Sequence, residues 1–350
     1  MPSLNKKIQV FLLGKDHIGW SVDKDRENIY KLFNNSADFE ITKNIFKADI
    51  IYSVWYDILS RLQFFYPLLI LKKIKKIKLF ATITNNIENT PEKTIALKKL
   101  IDIWVAPSLK TYNFIQEKNL KTIHLPFLIE KDIFLQTNKL KNELAEILNI
   151  DIDTLKNKTL FGSFQRDSLG SDLSKPKWQK NPALLIEILK KIPRENILLL
   201  LAGPRRHYIV NACKKFSIPY LFIGNESLIN NNQDDISENN ISLEKINLLY
   251  NLIDAYIVTS KSEGGPKAIL EAAITKTLVF STDVGLARDI LSENLIYDEK
   301  DLTIIIKDLN DLINKKNNFT EEINFNYNKA LQSLNEKNIL TTIKNGFYEN

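Results

Sequence analysis

The chain has 350 residues, of which 44% are hydrophobic and 26% charged, with a single cysteine, Cys213. That length favours two domains that each bury a core, the balance excludes a mainly disordered chain, and one cysteine excludes a disulfide-stapled secreted fold. The formal net charge of +6 is uneven: residues 1–150 carry 23 Lys+Arg against 16 Asp+Glu, leaving 25 against 26 for the remainder. Either an anionic partner of the first half (a membrane surface, a phosphorylated substrate or nucleic acid) or an AT-rich coding bias towards Lys, Asn and Ile accounts for this. The longest apolar run, Phe64–Leu71, meets Lys72 and Lys73 before it could cross a bilayer. Met1–Gly19 lacks a small-residue cleavage site, so a cytoplasmic protein is expected.

In chain order, Ile8–Leu13 reads as a buried strand ending at Gly14, followed by helical periodicity over Arg26–Phe33. Further strands are predicted at 49–54, 78–83 and 101–105, with helices around Ser60–Lys75, Pro91–Lys99 and Ser108–Lys118. The polar, lysine-rich stretch Leu135–Lys158 is the natural linker, placing one domain at 1–150 and a second at 151–318. In that second domain strands are predicted at 159–161, 197–202, 220–223, 255–258, 278–281 and 295–297. Helices are predicted at 182–191, 207–216, 243–249, 266–275 and 285–291. Strands alternating with helices imply parallel sheets covered on both faces. Asn225–Asn240 reads as a poorly ordered acidic loop, and 319–350 as a helical tail packed on the outside.

Only 10 glycines occur, and Gly14, Gly162, Gly203, Gly224 and Gly264 each follow a predicted strand, with Gly19, Gly265 and Gly285 nearby. In open α/β sheets ligands bind beyond the carboxyl ends of the strands, where backbone must approach closely. The sharpest segment is Ser260–Ala272, in which Gly264-Gly265-Pro266-Lys267 opens a helix after a strand. Bare amides at such a helix start favour an anion, suited to a diphosphate. Glu263 and Glu271, eight positions apart, fall roughly 80° apart around the axis. A plain helix start with a solvated Lys267–Glu271 pair is the alternative. A second cluster is Gly162-Ser163-Phe164-Gln165-Arg166, followed by Lys180 before the next helix; Arg166 and Lys180 are candidate phosphate partners or simply solvated charges.

These residues resemble a family. Glu263 and Glu271, embedded after a strand with Gly-Gly-Pro and followed by Val284-Gly285, look like the Glu-x7-Glu motif of retaining GT-B glycosyltransferases, specifically family 4 (glycosyl transferases group 1). The resemblance implies an α/β GT-B fold: two Rossmann-like doubly wound parallel-sheet domains facing across a cleft, acceptor side first and donor side second. It implies a nucleotide-diphosphate sugar as co-substrate, a glycan or lipid-linked acceptor, and retention without a metal or other cofactor. By match to the motif, Glu263 lies beside the donor sugar, Glu271 binds the ribose hydroxyls, and Arg166 and Lys180 neutralise the diphosphate. Gly162, Ser163, Gly224, Gly264, Gly265, Pro266 and Lys267 complete the donor side.

Three departures stand out. Asp167–Lys177 lengthens the interval between Arg166 and Lys180; Ile83-Thr84-Asn85-Asn86 stands where many members carry a histidine, leaving Asn85 to contact sugar; and the first turn, Gly14–Ser21, is long and charged. In that turn Gly14, His17 and Gly19 would line the acceptor side, with His17 either acting on an acceptor hydroxyl or standing by. His124 reads as core, His207 as surface, and Arg205 as a phosphate or acceptor candidate; three histidines and one cysteine show no metal spacing. Residues 64–78, basic and apolar, read either as a helix docking on an anionic membrane or as a buried helix with a solvated lysine end. Rival readings are a GT-B epimerase, a sugar-nucleotide-binding protein without transferase activity, and a nucleic-acid binder, the last lacking any recognised reading module.

Overall fold

The computed structural model describes residues 6–15, 21–85 and 87–349. His17, Gly19 and Asn86 lie outside them. The chain runs β1 (Ile8–Leu13), α1 (Ser21–Asn34), β2 (Phe39–Ile41), β3 (Ile50–Ser53), α2 (Leu62–Ile74), β4 (Lys78–Thr82), α3 (Pro91–Leu97), β5 (Ile103–Ala106), α4 (Leu109–Gln116) and β6 (Thr122–His124). It continues with α5 (Lys141–Ile147), α6 (Ile152–Leu155), β7 (Thr159–Ser163), α7 (Pro182–Leu189), β8 (Ile197–Ala202), α8 (His207–Phe216), β9 (Tyr220–Ile223) and α9 (Glu226–Asn230). Then follow α10 (Leu243–Leu252), β10 (Ala255–Val258), α11 (Lys267–Ile274), β11 (Leu278–Thr282), α12 (Ala287–Ile290), β12 (Ile296–Tyr297), α13 (Thr303–Ile313), α14 (Thr320–Ser333) and α15 (Glu336–Tyr348).

Two compact units result. The first holds Met1–Ile129, Glu263–Lys267 and Gln332–Asn350; the second holds Glu130–Ser262 and Ala268–Leu331. Each contains a six-stranded sheet, ordered β2-β1-β3-β4-β5-β6 in the first and β12-β11-β10-β7-β8-β9 in the second. Every pairing is parallel, and β8 is buried at all six positions. A strand covered on both faces is apolar throughout, which is why Ile-Leu-Leu-Leu-Leu-Ala was legible as one.

The division falls after Ile129, not near 150. The stretch expected as a linker is fastened to the second unit because α10 presents a polar row to it. Leu135 N donates to Asn247 Oδ1 at 3.1 Å, Thr137 N to Asn251 Oδ1 at 2.8 Å, and Lys141 pairs with Asp254 at 2.6 Å. Asn247 and Asn251, four apart, share one face of α10, and Asp254 follows two residues past its end.

The tail from 319 onward is not a single outer layer. Phe319 packs edge-on against Phe280 at 5.5 Å inside the second core, and Asn326, fully buried, accepts from Ser292 N at 2.8 Å. Asn335 then caps α15 by accepting from Asn338 N, and Ile339 and Ile343 enter the core of the first unit beside β1, β4 and β6. Ile343→Ala should therefore cost about 2–5 kcal/mol, as for other buried Ile truncations, read as a lowered denaturation midpoint. An unchanged midpoint would show that α15 is dispensable.

Candidate functional site

In the second unit the loops following β7, β8, β9 and β10 all leave the carboxyl edge of one parallel sheet. The loop after β7 carries Arg166 and then the interval Asp167–Lys177. That interval folds back on itself: Lys177 N donates to Asp167 O at 2.6 Å, Ser168 forms an antiparallel bridge with Pro176, and Leu169 N donates to Lys175 O. The extra residues leave as a small flap, so the segments bearing Arg166 and Lys180 start and finish at neighbouring points. Lys180 is fixed in turn by its own backbone. Thr259 Oγ1 donates to Lys180 O at 3.0 Å and Lys261 N to Gln179 O at 2.8 Å, which joins this turn to the loop after β10.

Beneath the flap lies an ion pair hidden from water. Arg206 and Asp167 are 0% and 1% exposed, with Arg206 Nε 3.2 Å from Asp167 Oδ2. Asp167 Oδ1 also accepts from Ser168 Oγ, and Arg206 Nη2 donates to Ser163 Oγ at 2.9 Å. Burial pushes the Asp167 carboxyl up to about 6, against the opposing pull of Arg206 and Ser168. The adjacent Arg205 has φ 59° and links three loops. Its carbonyl accepts from Asp167 N and Ser168 N, its amide donates to Asp235 Oδ1, and its guanidinium pairs with Asp234 at 2.9 Å. Burial, helped by the charge of Arg205, lowers the Arg166 guanidinium, so an anion placed there would relieve both penalties.

Glu271, on α11, accepts from the Tyr250 hydroxyl at 3.1 Å. Tyr250 is buried among Phe134, Phe164 and Tyr256, with ring centroids 5.3–6.1 Å apart, and burial followed by the Glu271 charge raises its phenol well above the usual range. It therefore stays a neutral donor that fixes the carboxylate's orientation. No spacing rule relates positions 250 and 271, and this contact had no signal in the sequence.

Several expected roles change. The Ser163 hydroxyl is buried and engaged by Arg206, so it serves the ion pair beneath the loop. Gly162 is a packing position: a Cβ there would strike the side chains of Ile253 and Phe164. A Cβ at Gly224 would come within 2.6 Å of Asn239 Oδ1, the same atom that accepts from Asn225 N. The acidic stretch 225–240 is ordered, with α9 at its start and both Asp235 and Asn239 buried and bonded to each other at 2.7 Å. Composition alone marked it as solvent-loving, whereas Asp235 is consumed as an internal acceptor. His207 is fully buried, not superficial, and its Nε2 lies 2.9 Å from Gln233 O. It shares the buried face of α8 with Val210 and Cys213, three and six residues on, a periodicity visible in the sequence. Arg205 is committed to Asp234 as described.

In the first unit, Gly264, Gly265 and Pro266 are all buried. Gly264 abuts the turn after β4, where a Cβ would lie 2.9 Å from Thr84 O and 3.3 Å from Asn85 N. Gly264, three residues before α11, is thus committed to close packing against backbone. Glu263, the first residue of this segment, is half-buried. Lys267 pairs with the Asp25 carboxylate on α1 and lies 5.9 Å over the Phe127 ring, so its charge is directed to another helix. Asn85 donates to Asp57 Oδ2 at 2.9 Å, beside the Lys93–Asp57 pair. Gly14, with φ 98° and only 2.9 Å of room before Val54 Cγ2, admits no side chain at the end of β1. His124 lies on β6 with its ring edge-on to Tyr112. Among the described residues no group of three or more His, Cys, Asp or Glu could hold a metal ion.

Set against known proteins, residues 174–329 match the family model for glycosyl transferases group 1, which takes in Lys180, Gly224 and the segment from Glu263 to Glu271. Solved structures match over nearly the whole chain. HepE from Anabaena, in complex with UDP and glucose, superposes with a TM-score of 0.68 at 14% identity, covering 97% of this chain and 98% of that one. The architecture is the GT-B fold. Sucrose-phosphate synthase from Thermosynechococcus elongatus is similar at a TM-score of 0.59 and 10% identity, over 98% and 96% of the two chains. A point mutant of S. aureus TarM, in complex with Fondaparinux, alpha-GlcNAc-glycerol and UDP, gives 0.60 at 11% identity, over 86% of this chain and 55% of its own. No curated protein matches the sequence.

The Asp167 carboxyl gives this GT-B protein a pH signature. Its folded value of about 6 exceeds the unfolded 3.8, so the native state binds the extra proton between these limits. Its contribution to stability is therefore present below about pH 4 and lost as pH rises through about 6. Asp167→Asn should remove that slope from a series of denaturant midpoints between pH 4 and 7. It should also destabilise by about 3–5 kcal/mol, because Arg206 loses its buried counter-charge. A slope that persists in the variant would assign the titration elsewhere.

Proposed function

We propose that this chain is a glycosyltransferase that moves a sugar from a nucleotide-diphosphate sugar to a glycan or lipid-linked acceptor, with retention at the anomeric carbon and without a metal. One observation carries the reading: the flap 167–177 closes on itself, which leaves Arg166 and Lys180 as cations at the carboxyl edge of the second sheet. The match of residues 174–329 to glycosyl transferases group 1 supports it. So does the presence of UDP in complexes of the GT-B neighbours, with glucose in HepE and alpha-GlcNAc-glycerol in TarM.

Bond cleavage between sugar and diphosphate builds negative charge on the leaving phosphate. Fixed positive groups in a partly dehydrated setting stabilise that charge most in the transition state. Arg166, desolvated and beside Arg205, is such a group, with Lys180 as its partner. Glu271, oriented by Tyr250, would accept from ribose hydroxyls, and the backbone around Gly224 and Asn225 would meet the base. Glu263 would stand by the donor sugar, as the family motif implies. We assign it to the cytoplasm and to polysaccharide assembly, a reading that a nucleotide-sugar donor and a chain with one cysteine support.

A thermal-shift panel of nucleotide diphosphates identifies the base, since only a bound ligand raises the melting temperature by mass action. Transfer or hydrolysis of the matching nucleotide sugar is then followed. Arg166→Ala and Lys180→Ala should each lower kcat/KM about 100-fold, equivalent to roughly 2.7 kcal/mol of barrier, with little change in melting temperature. Turnover within about threefold of the parent would refute the assignment. Nucleotide binding with no transfer or hydrolysis would identify a sugar-nucleotide-binding protein instead.

A further inference from the structure

Helix α2 is apolar on two opposite faces. Leu68 and Leu71 are buried in the core of the first unit, packed with β3, β4 and β5. On the other side Leu62, Tyr66, Ile70 and Ile74 are 71%, 57%, 58% and 79% exposed. Spaced four residues apart, they drift by only about 40° per step, so all four lie within one 120° stripe along the helix. Leu68 falls about 180° from the centre of that stripe. Phe46, 69% exposed, extends the apolar surface beyond the end of α2, where Lys75 Nζ donates to its carbonyl. Isolated exposed apolar residues need no explanation, but a continuous stripe with an added aromatic does.

Along the segment that carries the stripe the charge has one sign. Arg61, Lys73 and Lys76 are exposed at its two ends, and no Asp or Glu occurs anywhere from Ile58 to Ile87. Lys72 is taken by Asp102 at 2.7 Å and anchors the helix from beneath. Among the described residues no helix is long and apolar enough to cross a membrane, and α2 has 13 residues, one of them Pro67.

We propose that the outer face of α2 docks on an anionic lipid bilayer, lying in the plane of the interface. Leu62, Tyr66, Ile70, Ile74 and Phe46 enter the boundary between headgroups and acyl chains, while Arg61, Lys73 and Lys76 meet lipid phosphates. Apolar burial supplies the hold, and the cations select the charged leaflet within about a Debye length, near 10 Å at 0.1 M salt. A second copy meeting it through the same face would set cations against cations at both ends.

The full-length protein is sedimented with vesicles of phosphatidylcholine alone and of phosphatidylcholine with phosphatidylglycerol. At low salt, partition into the anionic vesicles should exceed that into neutral ones at least tenfold and fall as salt is raised. Lys73→Gln with Lys76→Gln should weaken partition about 30-fold, at roughly fivefold per cation. Ile70→Ser with Ile74→Ser should abolish it while leaving the thermal melt unchanged, because both side chains face solvent. Absence of binding to anionic vesicles, binding indifferent to the Ser pair, or a solution dimer that the Ser pair dissociates would each overturn the proposal.

Discussion

Much of the carboxyl edge of the second unit's sheet hangs on the residue Asp167. Its backbone amide donates to Arg205 and its carbonyl accepts from Lys177, while its side chain takes a hydrogen bond from Ser168 and the charge of Arg206. One residue thereby ties the loop after β7 to the loop after β8. Arg205 carries the connection on to Asp234 and Asp235, and so to Asn239 and the turn at Gly224. Withdrawing a carboxylate and a guanidinium from water costs several kcal/mol per ion, which their mutual attraction only partly offsets. A fold that bears such a cost gains loops with one geometry. Arg166 follows from this directly, because the residue next to a fully buried, multiply anchored neighbour has little freedom to stray.

The broad architecture was legible in the sequence because parallel strands buried on both faces leave an unmistakable pattern. All six strands of the second sheet and four of the first were readable from their apolar runs. The two that were not, β2 and β6, are three residues each, too short for periodicity to register. The boundary between units was misread for a different reason. Leu135–Lys158 is polar in composition, yet Asn247 and Asn251 on α10 supply the hydrogen bonds its backbone needs. Polarity marks where water is tolerated and does not reveal where protein groups have replaced it.

The same distinction separates what topology dictates about a polar side chain from what its partner dictates. Position after a strand puts the loop that bears Arg166 at a sheet's carboxyl edge, since that much follows from topology. Which way a polar side chain turns depends on its partner, and partners are remote in sequence. Ser163 is claimed by Arg206, 43 positions away, and Asn85 by Asp57, 28 positions away. Lys267 goes to Asp25. Glycine motifs are ambiguous in a related way: Gly264 permits close approach, and what approaches is the backbone at Thr84, a demand as strict as a phosphate would make.

Charge bookkeeping along the chain now has a structural address. Between Ile58 and Ile87 stand six of the first half's cations and none of its acids, in a region where coding bias explains lysine in place of arginine but not the missing carboxylates. Water alone would favour mixed signs on a surface helix, because Glu–Lys pairs four apart stabilise it by a few tenths of a kcal/mol each. On α2 those outward positions are filled by Leu62, Tyr66, Ile70 and Ile74, side chains that gain nothing from water. Apolar residues at the pair positions, ringed by one sign of charge, are what an interface between water and anionic headgroups rewards and bulk water does not. Under the proposed docking, the excess charge of the first half and the second apolar face of its helix share one origin.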